Sequence, residues 1–250
     1  MTLLPARALL AVRVGAIVAL FALVILPHLL LTACGLRRAI PPHFLGAVGW
    51  LAGLRVRIEG RPAPGRLLLL ANHTSWLDIL ALAGAARAAF VARGTLADHR
   101  LLGWLCRQND TLFIDRDQRS TVAAQVQRLA AALAHRRMCV FPEGTTGEGT
   151  ALLPFKSALL SSVERAASAG ITVQPVALIW QDAAEIAWAG AEPGAANVRR
   201  ILTRRRPVHL TIRFLQPLDG AALADRKAMA RVAQAAIAGA LDLPIARAIA

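Results

Sequence analysis

The chain has no tyrosine, only two lysines (Lys156 and Lys227) and three widely spaced cysteines, Cys34, Cys106 and Cys139. With no Cys-x-x-Cys pair, neither a disulfide framework nor a structural zinc site is expected, and the compartment reads as reducing. Charged residues make up only 18% of the chain and aromatics 5%, which is little charge for an ordinary soluble domain. A nucleic-acid binder would interleave basic residues with stacking aromatics on one element, whereas Phe and Trp are scattered here. No Gly-x-Ser-x-Gly occurs, so the nucleophile elbow of a Ser-His-Asp hydrolase is absent.

Apolar residues are abundant. They form 56% of the 250 residues, with a mean hydropathy of +0.49, which excludes a disordered or collagen-like chain and supplies the core of one or two domains. Val14 to Cys34 is a run of 21 residues without Asp, Glu, Lys or Arg. At 1.5 Å per residue it reaches about 30 Å, one hydrocarbon thickness, and reads as a membrane helix. Pro27 is expected to kink it, and His28 reads as a polar interruption at that kink. The run is too long for the core of a cleaved signal peptide, although Leu31-Thr32-Ala33-Cys34 resembles a lipoprotein processing site. Arg37, Arg38, Arg55, Arg57, Arg61 and Arg66 follow the run, against Arg7 and Arg13 before it. That bias puts the bulk of the protein in the cytoplasm. Ile40 to Leu54 is apolar, contains Trp50 and is too short to span, which suits a segment lying in the interface. The net charge of +14 fits either nucleic acid or an anionic membrane, and does not separate them.

From Val56 onward, short β-branched or apolar runs alternate with longer Ala-rich stretches. The expected strands are Val56 to Glu59, Leu67 to Ala71, Ala89 to Ala92, Thr111 to Asp115, Met138 to Phe141, Val173 to Ile179 and Val208 to Phe214. The expected helices are Ser75 to Ala85, Arg119 to Arg137, Lys156 to Ala169 and Ala221 to Leu241. The alternation predicts an α/β fold, a mixed, largely parallel sheet covered by helices. It divides the chain into a membrane-associated segment, 1–54, and an α/β domain, 55–250. Gly190 to Asn197 reads as a loop, followed by a basic cluster of Arg199, Arg200, Arg204, Arg205 and Arg206 that suits either a solvated face or anionic headgroups.

In a parallel sheet, ligands collect beyond the carboxyl ends of the strands. After Leu67 to Ala71 comes Asn72-His73-Thr74-Ser75-Trp76-Leu77-Asp78, with Thr74 or Ser75 suited to cap a helix beginning at Trp76. His73 then stands in the turn, free to fold back onto the Asp78 carboxylate. Such a pair makes a base and its orienter: imidazole titrates near neutrality and takes a proton from a hydroxyl, while the acid fixes its tautomer. The spacing alone is weak, since about 0.2 His-x4-Asp spacings arise by chance in this composition. No serine or cysteine nucleophile stands beside the pair, which favours direct attack by an external hydroxyl. The segment Phe141-Pro142-Glu143-Gly144-Thr145-Thr146-Gly147 follows another strand. Its glycines let backbone N–H groups approach an anion, and Glu143 adds a carboxylate for a hydroxyl or cation; alone it reads as an ordinary turn.

NHTSWLD, LFIDR at Leu112 to Arg116, FPEGTT and VQPVAL at Val173 to Leu178, in that order, resemble the four motifs of the 1-acylglycerol-3-phosphate acyltransferase family. The resemblance covers roughly Leu54 to Leu218. It implies transfer of a fatty acyl chain from acyl-CoA or acyl carrier protein, as co-substrate, to the hydroxyl of a lysolipid at the bilayer, with no metal or other cofactor and no nucleic-acid partner. By the same resemblance His73 is the general base and Asp78 its partner. Arg116 is similar to the family's basic residue at the acceptor site, and Glu143, Gly144 and Thr145 correspond to its acceptor-binding loop. Pro175 lies in the motif linked to donor handling, and Asn72 matches the residue that often precedes the catalytic His. Members acting on lysophosphatidic acid commonly carry Arg where this chain has Thr146. EGTT followed by LLPFKSALL looks more like the branch of bacterial lyso-ornithine lipid acyltransferases, whose acceptor has no phosphate. Lys156 or Arg116 could still supply charge to a phosphate, and the breadth of the family leans the expectation slightly that way. The resemblance implies a bacterial inner-membrane enzyme whose catalytic domain faces the cytoplasm.

Overall fold

The computed structural model of the chain describes residues 5–114, 122–161, 164 and 170–246. Its strands are β1 (Leu54–Glu59), β2 (Leu67–Ala71), β3 (Ala89–Arg93), β4 (Leu112–Ile114), β5 (Met138–Val140), β6 (Thr172–Trp180) and β7 (Val208–Phe214). They form one sheet in the order β1-β7-β6-β2-β5-β3-β4. β6 and β7 pair antiparallel and all other neighbours pair parallel, so β1 and β7 run against the other five. The helices among the described residues are α1 (Ala6–Ala33), α2 (Pro41–Leu51), α3 (Leu77–Ala86), α4 (Thr95–Asp98), α5 (Arg100–Gln108), α6 (Val122–His135), α7 (Ala183–Ile186), α8 (Gly194–Leu202) and α9 (Arg226–Leu241).

β2 explains why the sheet is covered on both sides. Its five residues carry no polar side chain and all are buried. Successive side chains of a strand point to opposite faces, so Leu67, Leu69 and Ala71 enter one core while Leu68 and Leu70 enter the other. The first core is closed by α1, α2, α3 and α8 and the second by α6 and α9. This is the three-layer arrangement that a buried parallel sheet requires.

Elements outside the sheet depart from the sequence pattern in informative ways. The helix expected over Ala221 to Leu241 starts only at Arg226, after a separate 3-10 turn at Gly220–Leu223. Asp225 sets that start by accepting the N–H groups of Lys227 at 2.6 Å and Ala228 at 2.9 Å. The expected loop at Gly190 to Asn197 ends at Gly194, where α8 begins. Within the basic cluster, Arg200 pairs with Glu192, and Arg204 pairs with Asp182 and Glu185, leaving Arg199, Arg205 and Arg206 exposed. Of the stretch Lys156 to Ala169, a 3-10 turn at Ser157–Leu160 is seen, and most of the remainder lies outside the described residues, as do Asp115 and the first residues of the helix expected from Arg119.

α1 is long and apolar enough to cross a membrane, and it runs unbroken through Pro27. It extends beyond the expected Val14 start because Arg7 and Arg13, though charged, are no obstacle to helical geometry. It is fastened to the α/β body at two points, Arg13 and His28. Arg13 Nη1 donates to the carbonyls of Leu202 at 3.0 Å and Arg204 at 2.9 Å, capping the end of α8. His28 Nε2 meets Gln108 Oε1 at 3.1 Å, at the end of α5. About 22 Å of helix therefore lies along the body. Its other side leaves Val12, Val18, Leu23, Leu26 and Leu30 exposed. α2 crosses α3 where Gly46 faces Gly84; a Cβ on Gly84 would sit 2.8 Å from the Gly46 Cα.

Candidate active site

β2 ends at Ala71, and the chain turns through Asn72 to Trp76 before entering α3. Asp78, wholly buried in the first turn of α3, collects four N–H groups. Its Oδ2 accepts from His73 Nδ1 at 2.8 Å and from the backbone of Thr74 at 2.7 Å and Ser75 at 2.8 Å. Its Oδ1 accepts from the indole Nε1 of Trp180 at 2.9 Å. Of the two expected caps, Ser75 accepts the Leu77 N–H on Oγ in a long bond of 3.4 Å, and the Asp78 carboxylate reaches back to hold the backbone of the turn. A buried carboxylate is tolerable when its lone pairs are this fully engaged. An ionised carboxylate only accepts, so this network assigns the proton of a neutral imidazole to Nδ1 and leaves a lone pair on Nε2. Phe141 stacks on the imidazole, with ring centroids 4.0 Å apart and planes 14° from parallel.

The loop carrying His73 is braced on every side. Asn72 exchanges two hydrogen bonds with the Leu178 main chain, at 3.0 Å and 2.7 Å, and so ties β2 to β6 with both ends of its amide. Glu143 accepts the His73 N–H on Oε1 at 2.6 Å and the Leu153 N–H on Oε2 at 3.0 Å. Its carboxylate, read from sequence as a contact for a hydroxyl or cation, is therefore buried between two loops. Burial pushes its carboxyl up to about 8, the two N–H bonds pull it down, and the Asp78 charge adds a smaller push upward. The Gly147 N–H bonds the His73 carbonyl at 2.8 Å, and the Trp188 N–H bonds the Thr74 carbonyl at 2.9 Å.

His73 borders two cavities. A small one of about 100 Å³ lies toward Asn72, Glu143 and Trp180. A larger one of about 690 Å³ is lined by His73, Thr95, His99, Leu102, Thr145, Thr146, Trp188 and Glu192 among others. No described group bonds His73 Nε2. The Thr146 hydroxyl donates to the Trp188 carbonyl. Gly144 adopts φ +73°, a left-handed conformation that favours glycine, in the turn leading to these threonines.

Other residues singled out from the sequence lie apart. Lys156 is exposed, with its N–H on the Pro142 carbonyl at 2.9 Å, and it lines neither cavity. Pro175 is buried in β6 opposite Leu70, where its carbonyl accepts the Leu215 N–H at 3.0 Å, and it too lines neither cavity. In the same motif Gln174 bonds Arg61, Ala63 and Leu215, holding the β1–β2 connection. Arg116 lies outside the described residues. Cys139 is buried, and burial, with a further push from Asp78, holds its thiol well above the ordinary range. Burial likewise raises Cys106. Among the described residues no group of three or more His, Cys, Asp or Glu could hold a metal ion. Trp180, Phe141 and Trp188 were not read as site residues. Trp180 continues the alternation of Val176 and Leu178 on β6, a signal of core, and only the fold places its N–H on Asp78.

At the carboxyl end of a parallel strand, a carboxylate-steadied imidazole thus faces a cavity with no thiol or serine among its described lining residues, an arrangement that suits proton transfer to or from a bound group. The family model described as Acyltransferase matches residues 54–179, and the chain belongs to this family of enzymes. It is 33% identical over 213 residues to a lyso-ornithine lipid O-acyltransferase of Brucella abortus, covering 79% of each chain. It is 35% identical over 194 residues to a 1-acyl-sn-glycerol-3-phosphate acyltransferase of Neisseria meningitidis, covering 72% of this chain and 73% of that one. The crystal structure of the 1-acyl-sn-glycerophosphate acyltransferase of Thermotoga maritima shares the fold, with a TM-score of 0.70 at 19% identity over 94% of both chains.

Proposed function

We propose that the protein moves a fatty acyl chain from an acyl thioester, acyl-CoA or acyl carrier protein, to the hydroxyl of a lysolipid, with His73 as general base. The observation that carries this reading is the 2.8 Å bond from His73 Nδ1 to Asp78 Oδ2, with Nε2 bonded by no described group beside a cavity. The acceptor hydroxyl attacks the thioester carbonyl while Nε2 takes its proton, and collapse of the tetrahedral intermediate expels a thiolate, which recovers the proton from the imidazolium. With Cys106 and Cys139 held as thiols, no covalent enzyme intermediate is needed.

The acceptor in this reading is a lyso-ornithine-type lipid. Among the described residues that line the larger cavity there is no Lys or Arg, and the carboxylate there, Glu192, is paired with Arg200 from outside the lining. A phosphate dianion needs compensating cations, whereas the side-chain ammonium of ornithine does not. The same kind of acceptor is in the name of the Brucella relative. The Neisseria relative favours the second reading, a 1-acylglycerol-3-phosphate acceptor. The exposed apolar side of α1 lies within the membrane interface, with α1 along the body and the bulk of the chain on the cytoplasmic side of a bacterial inner membrane.

The test is an assay of the purified full chain with labelled acyl-CoA and acyl carrier protein against lysolipids with and without phosphate. Transfer to lyso-ornithine lipid is expected, falling by about 10²–10⁴ in His73→Ala. Near-wild-type turnover by that variant would overturn the base assignment.

A further inference from the structure

A third cavity, of about 530 Å³, opens at the opposite end of the sheet from His73, lined by Arg38, Arg66, Arg87, His135, Arg136 and Arg137 among others. The topology gathers these residues there. Arg66 and Arg137 directly precede β2 and β5, Arg87 ends α3, and His135 ends α6. Arg38 follows α1, with Nη2 on the Arg87 carbonyl at 2.7 Å.

Some of this charge has an evident structural use. Arg137 Nη1 caps the Ala86 carbonyl at 3.2 Å, and Arg37, Arg38 and Arg136 all converge on one carboxylate, Asp110, at 3.2 to 3.5 Å. That carboxylate is shared three ways. Arg38 Nη1 is buried and, apart from its 3.5 Å ion pair, has no hydrogen-bond acceptor. Burial lowers Arg38 below the ordinary guanidinium range; Asp110 opposes this, while Arg136 and Arg87 add to it. The guanidinium groups of Arg66 and Arg87 have no acceptor among the described residues. Arg87, exposed and in the lining of this cavity, also stands at φ +54°, the left-handed conformation of a helix C-cap that disfavours a side chain.

We propose that this basic cavity binds the phosphate of an anionic phospholipid headgroup, as a site separate from acyl transfer. Arg66 and His73 flank β2 and are seven residues apart along an extended segment, about 23 Å. A phosphate held at Arg66 is thus out of reach of a hydroxyl at His73. The lipid source is indicated by what adjoins the cavity. Arg37 and Arg38 follow the last turn of α1, and a groove of about 480 Å³ between α1, α2 and α5, almost wholly apolar, includes Ile40 and Asn109. These are chain neighbours of Arg38 and Asp110, so a headgroup at the arginines can lay its tails along α1. The site needs nothing from the chemistry at His73.

The test compares the full chain with R66Q/R87Q and with R205Q/R206Q, which removes equal charge from the exposed cluster. The readout is the preference for phosphatidylcholine vesicles containing phosphatidylglycerol over pure phosphatidylcholine vesicles. Because Arg66 and Arg87 have no described acceptors, their substitution leaves the fold intact, which near-wild-type thermal unfolding checks. The R66Q/R87Q pair is expected to lose the anionic preference by about thirtyfold, at roughly a fivefold loss per charge near the surface, and R205Q/R206Q by a few-fold. Equal losses, or no loss in R66Q/R87Q, would overturn the site. Stabilisation of the detergent-solubilised wild type by inorganic phosphate, equal to that by phosphatidylglycerol, would overturn the lipid as its source.

Discussion

Trp180, the last residue of β6, donates its indole N–H to Oδ1 of Asp78 at 2.9 Å, so the acid that steadies His73 is itself steadied from a strand 102 residues away. Trp180→Phe keeps most of the ring and deletes the donor, leaving Oδ1 buried and unpaired. An unpaired buried acceptor costs about 1–3 kcal/mol. The expected outcome is a Tm lowered to match and a fall in kcat of about tenfold with KM little changed, since the imidazole is less well oriented. A wild-type kcat in a folded Trp180→Phe would show that Oδ1 needs no partner.

Asp78→Asn tests whether this acid serves only the base. The side chain holds the backbone of Thr74 and Ser75 as well as His73 Nδ1. An amide retains one acceptor and turns its NH₂ against one of the present donors. The variant is therefore expected to lose stability, by about 2–4 kcal/mol, together with most of its activity. Denaturant unfolding beside turnover measures both. Unchanged stability would confine Asp78 to catalysis.

Glu143 gives the protein a distinctive pH dependence. Its carboxyl is raised to about 8 in the folded state against an ordinary value of 4.5. Between those values the native state holds a proton that the unfolded chain has released. Its contribution to stability is full below about 4.5 and is lost as pH rises through about 8, at up to about 1.4 kcal/mol per pH unit. In Glu143→Gln that slope should vanish. A constant loss of about 1 kcal/mol should remain, because the amide cannot accept from both His73 and Leu153. Tm measured across this pH range for both proteins checks the sign; a wild-type Tm that climbs with pH would contradict it.

The central strands were legible because strands buried on both faces are written as short apolar runs, Leu67 to Ala71 being the clearest; β1 and β7 were legible by their apolar–polar alternation, which in β7 follows burial and in β1 marks a mostly exposed edge strand. The His73–Asp78 pair was legible because its partners lie within one turn of chain. Trp180 and Trp188 were not, since a residue brought in from a distant strand or loop leaves no local mark, and Trp180 carries the alternation of a core position. α5 was missed although Leu101, Leu102 and Leu105 fall on the face opposite Arg100, Gly103 and Arg107, because its nine residues span little more than two turns and so repeat the pattern only twice. Glu143 was read for ligand chemistry because a carboxylate in a glycine-containing loop looks available, and Asn72 entered only through its match to the residue before the family's His. Their hydrogen bonds to Leu178, His73 and Leu153 are long-range facts of the fold.

The contact of α2 with α3 is set by one pair of glycines. Adding a Cβ at Gly84 would bring it within 2.8 Å of the Gly46 Cα, a backbone atom that cannot rotate away. Gly84→Ala must push α2 outward, at about 1–3 kcal/mol. The expected signature is a lowered Tm and faster proteolysis near the α1–α2 connection. Gly15→Ala, inside α1 where nothing lies within 4 Å, should be tolerated and stabilise by up to about 1 kcal/mol. Equal behaviour of the two variants would remove the contact from the account.

Thr146 offers the sharpest test of acceptor choice. Its side chain borders the larger cavity with His73, and its hydroxyl is held by the Trp188 carbonyl. Thr146→Arg breaks one hydrogen bond and brings a guanidinium to a cavity whose described lining has no Lys or Arg. A charge-assisted bond to phosphate is worth about 1.5–3 kcal/mol, so kcat/KM for 1-acylglycerol-3-phosphate relative to lyso-ornithine lipid should rise by roughly 10- to 100-fold. Glu192 in the same lining is held by Arg200 and Asn197, and Glu192→Gln added to Thr146→Arg removes that carboxylate and should widen the shift. If the ratio is unmoved in both variants, the acceptor headgroup lies away from Thr146, and the phosphate-free reading loses its structural ground.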